Sequence, residues 1–250
     1  MWRKKRNLLS LVLAISVMFS CSFHTLASEL DAPEKTDFEF INTDDFSNVE
    51  YIYKENGKKY KVIEHANENL TVVETFIYEV CNDNEMVLSD KIVTHVSAED
   101  NKIIVLTTKA NKEIAKEVIL IANEQKSISE TNSVSRAKTG WVHVYNSSGS
   151  TKFANYSLTV VIAVLAAAVG YLSKGLAGAI AAEGISSVAK IIIDEQIPVG
   201  YMRQTMHYYY PDTSGVPTKY RAITNFFRKS NYSGFIGLSR EEGNIILGGN

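Results

Sequence analysis

Cysteine is nearly absent from this chain: 250 residues hold two, Cys21 and Cys81, with four prolines and two tryptophans. Cys21 falls in an N-terminal stretch that reads as removable, so one thiol remains and an intramolecular disulfide is excluded. Cys81 follows Ile77 and Val80 in an apolar run and is expected to be a buried small hydrophobe. Histidine is sparse as well. Beyond His24 in the N-terminal stretch, His65, His95, His143 and His207 are scattered, without a zincin pair or a Cys/His cluster. Also missing are a Gly-x-Ser-x-Gly elbow, a phosphate-binding glycine loop ending in Lys-Ser/Thr, and a dinucleotide fingerprint. Ser147-Ser148-Gly149-Ser150 lacks the flanking elements of a nucleophile site and reads as a turn. These absences lead to the expectation of a non-enzymatic protein with no cofactor, no metal and no nucleic-acid partner.

The N-terminus has the three parts of a bacterial secretory signal. Arg3, Lys4, Lys5 and Arg6 supply the positive start, Leu8 to Phe19 the apolar stretch, and Thr25-Leu26-Ala27 the small residues before the cut. An apolar stretch of about twelve residues is too short for a spanning helix, which needs roughly 20. Cleavage is expected between Ala27 and Ser28, giving a secreted, extracellular protein. Phe19 before Ser20 makes a poor lipobox for acylation at Cys21.

What remains divides by charge. Glu29 to Ser135 holds 22 acidic and 11 basic side chains, whereas Arg136 to Asn250 holds 6 acidic and 11 basic. The expected organisation is a signal over 1–27, an acidic β-rich domain over 28–126 that is a candidate pro-region, a polar linker over 127–138, and a basic domain over 139–250. Candidate pro-region cleavage points are Arg136 and Lys138.

In the acidic part, Asn56-Gly57 separates two β-prone runs, a strong hairpin signal because both residues tolerate positive φ. Further runs over 70–80, 86–96 and 102–108 are bounded by Asn/Asp/Glu-rich turns, as in an antiparallel meander. Ile114, Val118 and Ile121 recur at helical spacing and predict a helix over 110–124.

Leu158 to Leu172 is the most apolar run after the leader. With Ser157 as cap, Gly175 as turn, and Asp194 and Pro198 as terminators, it predicts a hydrophobic helical hairpin over 157–193. The second helix, from Leu176 to Ile193, is amphipathic. Fifteen helical residues reach about 22 Å, short of a hydrocarbon core of roughly 30 Å. The candidate membrane-active residues are Leu158, Val161, Ile162, Leu165, Val169, Leu172, Leu176, Ile180, Val188 and Ile192. Leu165→Asp is expected to abolish membrane action without unfolding the chain. Two aromatic strands, Tyr201 to Tyr210 and Lys219 to Phe227, and a third through Ser233 to Gly237, follow. Their candidate basic and aromatic surface is Arg203, Tyr209, Lys219, Arg221, Arg228 and Lys229, residue types drawn to anionic headgroups and membrane interfaces. The fold class so predicted is α+β: an N-terminal antiparallel β-rich segment, a central hydrophobic helical hairpin, and C-terminal aromatic β-strands.

The signal, the acidic β-rich segment, the strand Thr139-Gly140-Trp141-Val142-His143-Val144-Tyr145, and Tyr156-Ser157-Leu158-Thr159-Val160-Val161-Ile162-Ala163 opening an Ala/Gly-rich stretch follow one another in a set order. In that order and character the chain resembles the geobacillin-26 family of large, non-lanthionine bacteriocins. The resemblance implies an antibacterial protein acting on related cells and carries no functional residue with it. The expected function is a secreted bacteriocin that perturbs target membranes, with anionic bacterial lipids and a cognate immunity protein as candidate partners. The alternative is a non-toxic secreted or envelope-associated binding or structural protein whose hairpin is simply its core.

Overall fold

Side chains alternate in and out along a strand, so a sheet covered on one face shows apolar residues at every second position. Val49, Tyr51 and Tyr53 do so in β2 (Val49–Glu55), and Val62 in β3 (Lys58–Ala66). Val73 follows in β4 (Val72–Val80), Val96 in β5 (Met86–Glu99), Ile103 and Val105 in β6 (Lys102–Lys109), and Ile119 in β7 (Lys112–Leu120). With the edge strand β1 (Lys35–Asn42) these form a seven-stranded antiparallel meander in sequence order. A second, four-stranded sheet runs β11-β10-β9-β8, from β8 (Gly140–Lys152), β9 (Val199–Tyr210), β10 (Lys219–Phe227) and β11 (Phe235–Asn244). The computed structural model describes residues 34–43, 48–81, 85–99, 102–120, 139–153, 156–172 and 184–245.

Two helices, α1 (Leu158–Leu172) and α2 (Ile185–Asp194), pack against each other and lie against both sheets. α1 rests on β5 and β6 of the large sheet and on β8 of the small one, while α2 rests on β11 and β1. Twelve of the fifteen α1 residues are buried, as a helix apolar on every side requires. Backbone approach is close at α2. A Cβ at Gly237 would come within 2.8 Å of Val188 Cγ2, and one at Gly184, which has φ +90, within 2.2 Å of the Leu238 carbonyl oxygen. At the β1 edge, Phe38, Phe40, Tyr51, Tyr53 and Tyr60 form a chain of rings with centroids 5.4–6.5 Å apart, and Lys190 Nζ of α2 sits 5.8 Å from the Phe40 ring.

The architecture corrects the predicted fold class. The β-rich N-terminal part and the aromatic C-terminal strands are present, but the described residues form eleven strands and two short helices, not an α+β protein organised around a helical hairpin. The physical reason is area: one short apolar helix and one amphipathic helix are enough to cover sheets that each hide one face. Of the second helix predicted from Leu176 to Ile193, the described part is α2, which follows Gly184 in the left-handed conformation. Leu176, Ile180 and the turn at Gly175 lie outside the described residues, as do Ala27, Ser28, Arg136 and Lys138. Within the helix predicted over 110–124, Lys112–Leu120 is strand β7, entered through a turn in which Ala110 and Asn111 have φ of 49° and 61°, and residues 121–124, with Ile121, lie outside the described residues. Ile114 and Val118, read as a helical stripe, point to solvent at 55% and 47% exposure. Cys81 is exposed, one residue beyond the end of β4 at Val80 and so outside the alternation that buries strand residues. Leu165 is completely enclosed, so an Asp at this position buries an unpaired charge and breaks the core, contrary to the expectation of a tolerated change.

Candidate functional site

A helix leaves its first amides and last carbonyls unpaired, and burial makes each of them costly unless another group meets it. The two sheets divide this task for α1. At the N-terminus, Glu64 of β3 reaches in: its carboxylate accepts from the Thr159 amide (2.8 Å), the Thr159 hydroxyl (2.7 Å) and the Thr75 hydroxyl (3.2 Å). The Ser157 hydroxyl also bonds this carboxylate, and the Leu158 amide donates to the Tyr51 hydroxyl. Glu64 is fully buried, and burial lifts its carboxyl above the usual value against the downward pull of the Ser157, Thr159 and Thr75 hydrogen bonds. Negative charge at this end also suits the helix dipole. At the C-terminus, the Gln204 amide of β9 donates to the Val169 carbonyl (3.3 Å) and to Thr224 Oγ1 (3.0 Å), while Ser147 of β8 donates to the Leu172 carbonyl (3.3 Å).

Beside the N-terminal clasp is a cavity of about 120 Å³ lined in part by Lys35, Tyr51, Tyr53, Tyr156 and Ser157. Lys35 Nζ stands 4.8 Å from the Tyr53 ring, and burial lowers its pKa against the raising influence of Glu55 and Glu64. Tyr156 donates to Glu117 of β7 at 2.6 Å, which ties the approach to α1 to the last strand of the acidic sheet.

The outward face of the four-stranded sheet has a different chemistry. Strand register sets Trp141, Tyr209 and Lys219 in one row, His143, His207, Arg221 and Glu242 in the next, and Ser148, Arg203, Asn225 and Leu238 further along. The last row holds Tyr201, Phe227 and Phe235. Arg221 lies 4.1 Å from the Trp141 ring, and Trp141 and Tyr209 approach to 5.3 Å. Arg221 and Arg240 share one carboxylate, Glu242, which holds its pKa below the ordinary carboxyl value. His143 and His207 meet edge-on at 5.5 Å. Burial, then His143, then Arg221 lower the His207 pKa.

The predicted site residues therefore fall into two groups. Leu158, Val161, Ile162, Leu165, Val169, Leu172, Val188 and Ile192 are core, each at most 2% exposed. Arg203, Tyr209, Lys219 and Arg221 share the outward face of the small sheet, whereas Arg228 forms a bidentate ion pair with Glu195 after α2, and Lys229 is exposed in the β10–β11 turn. Sequence reasoning missed Glu64, Gln204 and the His143–His207 pair. Glu64 had a signal: it occupies the inward parity of Val62, where a strand covered on that face should carry an apolar residue. Among the described residues no group of three or more His, Cys, Asp or Glu is arranged to hold a metal, and no helix is long and apolar enough to cross a membrane. Comparison with protein-family models, with curated proteins and with solved structures gives no match.

Proposed function

We propose that the chain is an exported antibacterial protein that acts at the membranes of target cells. The outward face of the four-stranded sheet carries this reading: Arg203, Lys219 and Arg221 stand among Trp141, Tyr201 and Tyr209, the residue types suited to an anionic surface that is wet on one side and apolar on the other. The acidic sheet acts as the cover of α1. Its removal by cleavage ahead of Trp141 takes Glu64 and Thr75 away from Ser157 and Thr159 and bares the side of α1 that rests on β5 and β6. Purified secreted protein is expected to inhibit growth of related strains and to release dye from anionic vesicles. Absence of both, with intact chain and with chain cut at Arg136 or Lys138, overturns the reading.

The burial of twelve of the fifteen α1 residues favours a second reading, a non-toxic envelope-binding protein in which α1 is only core. Under it the protein binds cells, inhibits none of them, and releases no dye.

A further inference from the structure

We propose that one end of the four-stranded sheet, formed by Arg203, Phe227, Tyr232, Phe235 and Leu238, docks on an anionic phospholipid bilayer, with Arg203 seating a headgroup phosphate. This deepens the membrane-directed reading above and rests on it, and it names the part of the molecule that meets lipid. Lys219 to Arg240 contains five cations and no Asp or Glu. Within this end Tyr232, from the β10–β11 turn, lies over the sheet and holds the Arg203 guanidinium 4.0 Å from its ring. Arg203 makes no ion pair among the described residues, unlike Arg221 and Arg240, which share Glu242, and Arg228, which is bound to Glu195. It stands in a groove of about 430 Å³ with Asn146, Ser148 and Thr205, whose amide and hydroxyl groups can donate to phosphate oxygens as the guanidinium does.

Apolar groups decide between a soluble phosphate compound and a bilayer. Phe227 packs edge-on against Tyr232 (5.7 Å) and Phe235 (5.9 Å), which makes a continuous aromatic cluster beside the guanidinium. Phe235 is 54% and Leu238 47% exposed. A soluble phosphate gives these two side chains nothing to bury against. A bilayer takes them into its interface while its phosphates meet Arg203 and the exposed Lys229.

Co-sedimentation of the secreted chain with vesicles tests the proposal. Vesicles of equal parts phosphatidylglycerol and phosphatidylcholine are expected to bind it and pure phosphatidylcholine vesicles to bind it weakly. Arg203→Gln is expected to weaken anionic binding about fivefold, and Phe235→Ser about tenfold. Lys54→Gln, on the other sheet, leaves it unchanged. Leu238→Ser serves as a second apolar variant, and thermal unfolding checks that each variant remains folded. Inorganic phosphate at matched ionic strength is expected not to compete. Equal binding by wild type, Arg203→Gln and Phe235→Ser, equal binding to both lipids, or displacement by phosphate each overturns the docking surface. Growth inhibition without vesicle binding removes the docking surface and leaves an antibacterial protein. Vesicle binding that needs Arg203 and Phe235, without growth inhibition, keeps the docking surface and removes the antibacterial reading.

Discussion

The two sheets use charge in opposite ways. The large one pairs five of its acidic residues internally: Glu50 with Lys61, Glu74 with Lys91, Glu79 with Lys58, Asp90 with Lys109 and Asp37 with Lys54, all between neighbouring strands. Exposed and half-buried pairs of this kind at a sheet surface contribute little each, about 0–1 kcal/mol, and chiefly favour correct pairing of the strands. Its buried carboxyl, Glu64, is aimed at the positive end of α1. The small sheet offers α1 only neutral donors, Gln204 and Ser147, at the negative end, and turns its guanidiniums outward onto aromatic rings. The polarity of one helix is thus matched by the acidic sheet at one end and by neutral donors at the other, while the carboxyl buried on the inner face of the small sheet, Glu241, accepts from the Tyr220 hydroxyl.

The sharpest way to break this comparison is to remove one clasp at a time. Glu64→Ala strips the buried acceptor from the Thr159 amide and from the Thr159 and Thr75 hydroxyls. The expected loss is on the order of 3 kcal/mol, from unsatisfied buried donors and a cavity together. Gln204→Met keeps the volume and orphans only the Val169 carbonyl and one hydroxyl contact, with an expected loss of about 1 kcal/mol. Urea unfolding of both variants checks the order. Equal losses would mean that the charged clasp gives no more than the neutral one.

Legibility from sequence followed the same division. Asn56-Gly57 and the run from Leu158 to Leu172 were readable because each is a local signal: a dipeptide suited to positive φ, and an unbroken apolar stretch. β7 was not, because Ile114 and Val118 fit a helical stripe equally well, and only the buried parity of Ile119 and the left-handed pair Ala110-Asn111 show a strand. The clasp and the outward face are non-local. Glu64 and Thr159 are 95 positions apart, and His143 meets His207 only through the register of β8 on β9. Composition placed cations in the C-terminal half; it had no way to say that Arg228 would be bound by Glu195 while Arg203 would not.

Smaller effects separate the sheets by pH. Folding raises the Glu64 pKa above its ordinary 4.5, so the folded state takes up its proton first. The stability linked to this group is therefore fully present below pH 4.5 and is lost as pH rises through the folded value. The difference in stability between wild type and Glu64→Gln should move in favour of wild type on going from pH 7 to pH 4.5. His207 behaves in the opposite sense. Its pKa is lowered from 6.5, so the unfolded chain protonates first and stability falls as pH drops below 6.5 toward the folded value. His207→Gln should remove that decline, and because the ring sits half-buried on the outward face the change should be the smaller of the two. Urea midpoints of the His207 variant and wild type at pH 7.5 and 5.5 measure it. A variant that loses as much stability as wild type over this range would assign the pH response to another group and would leave the two sheets alike in how they answer to acid.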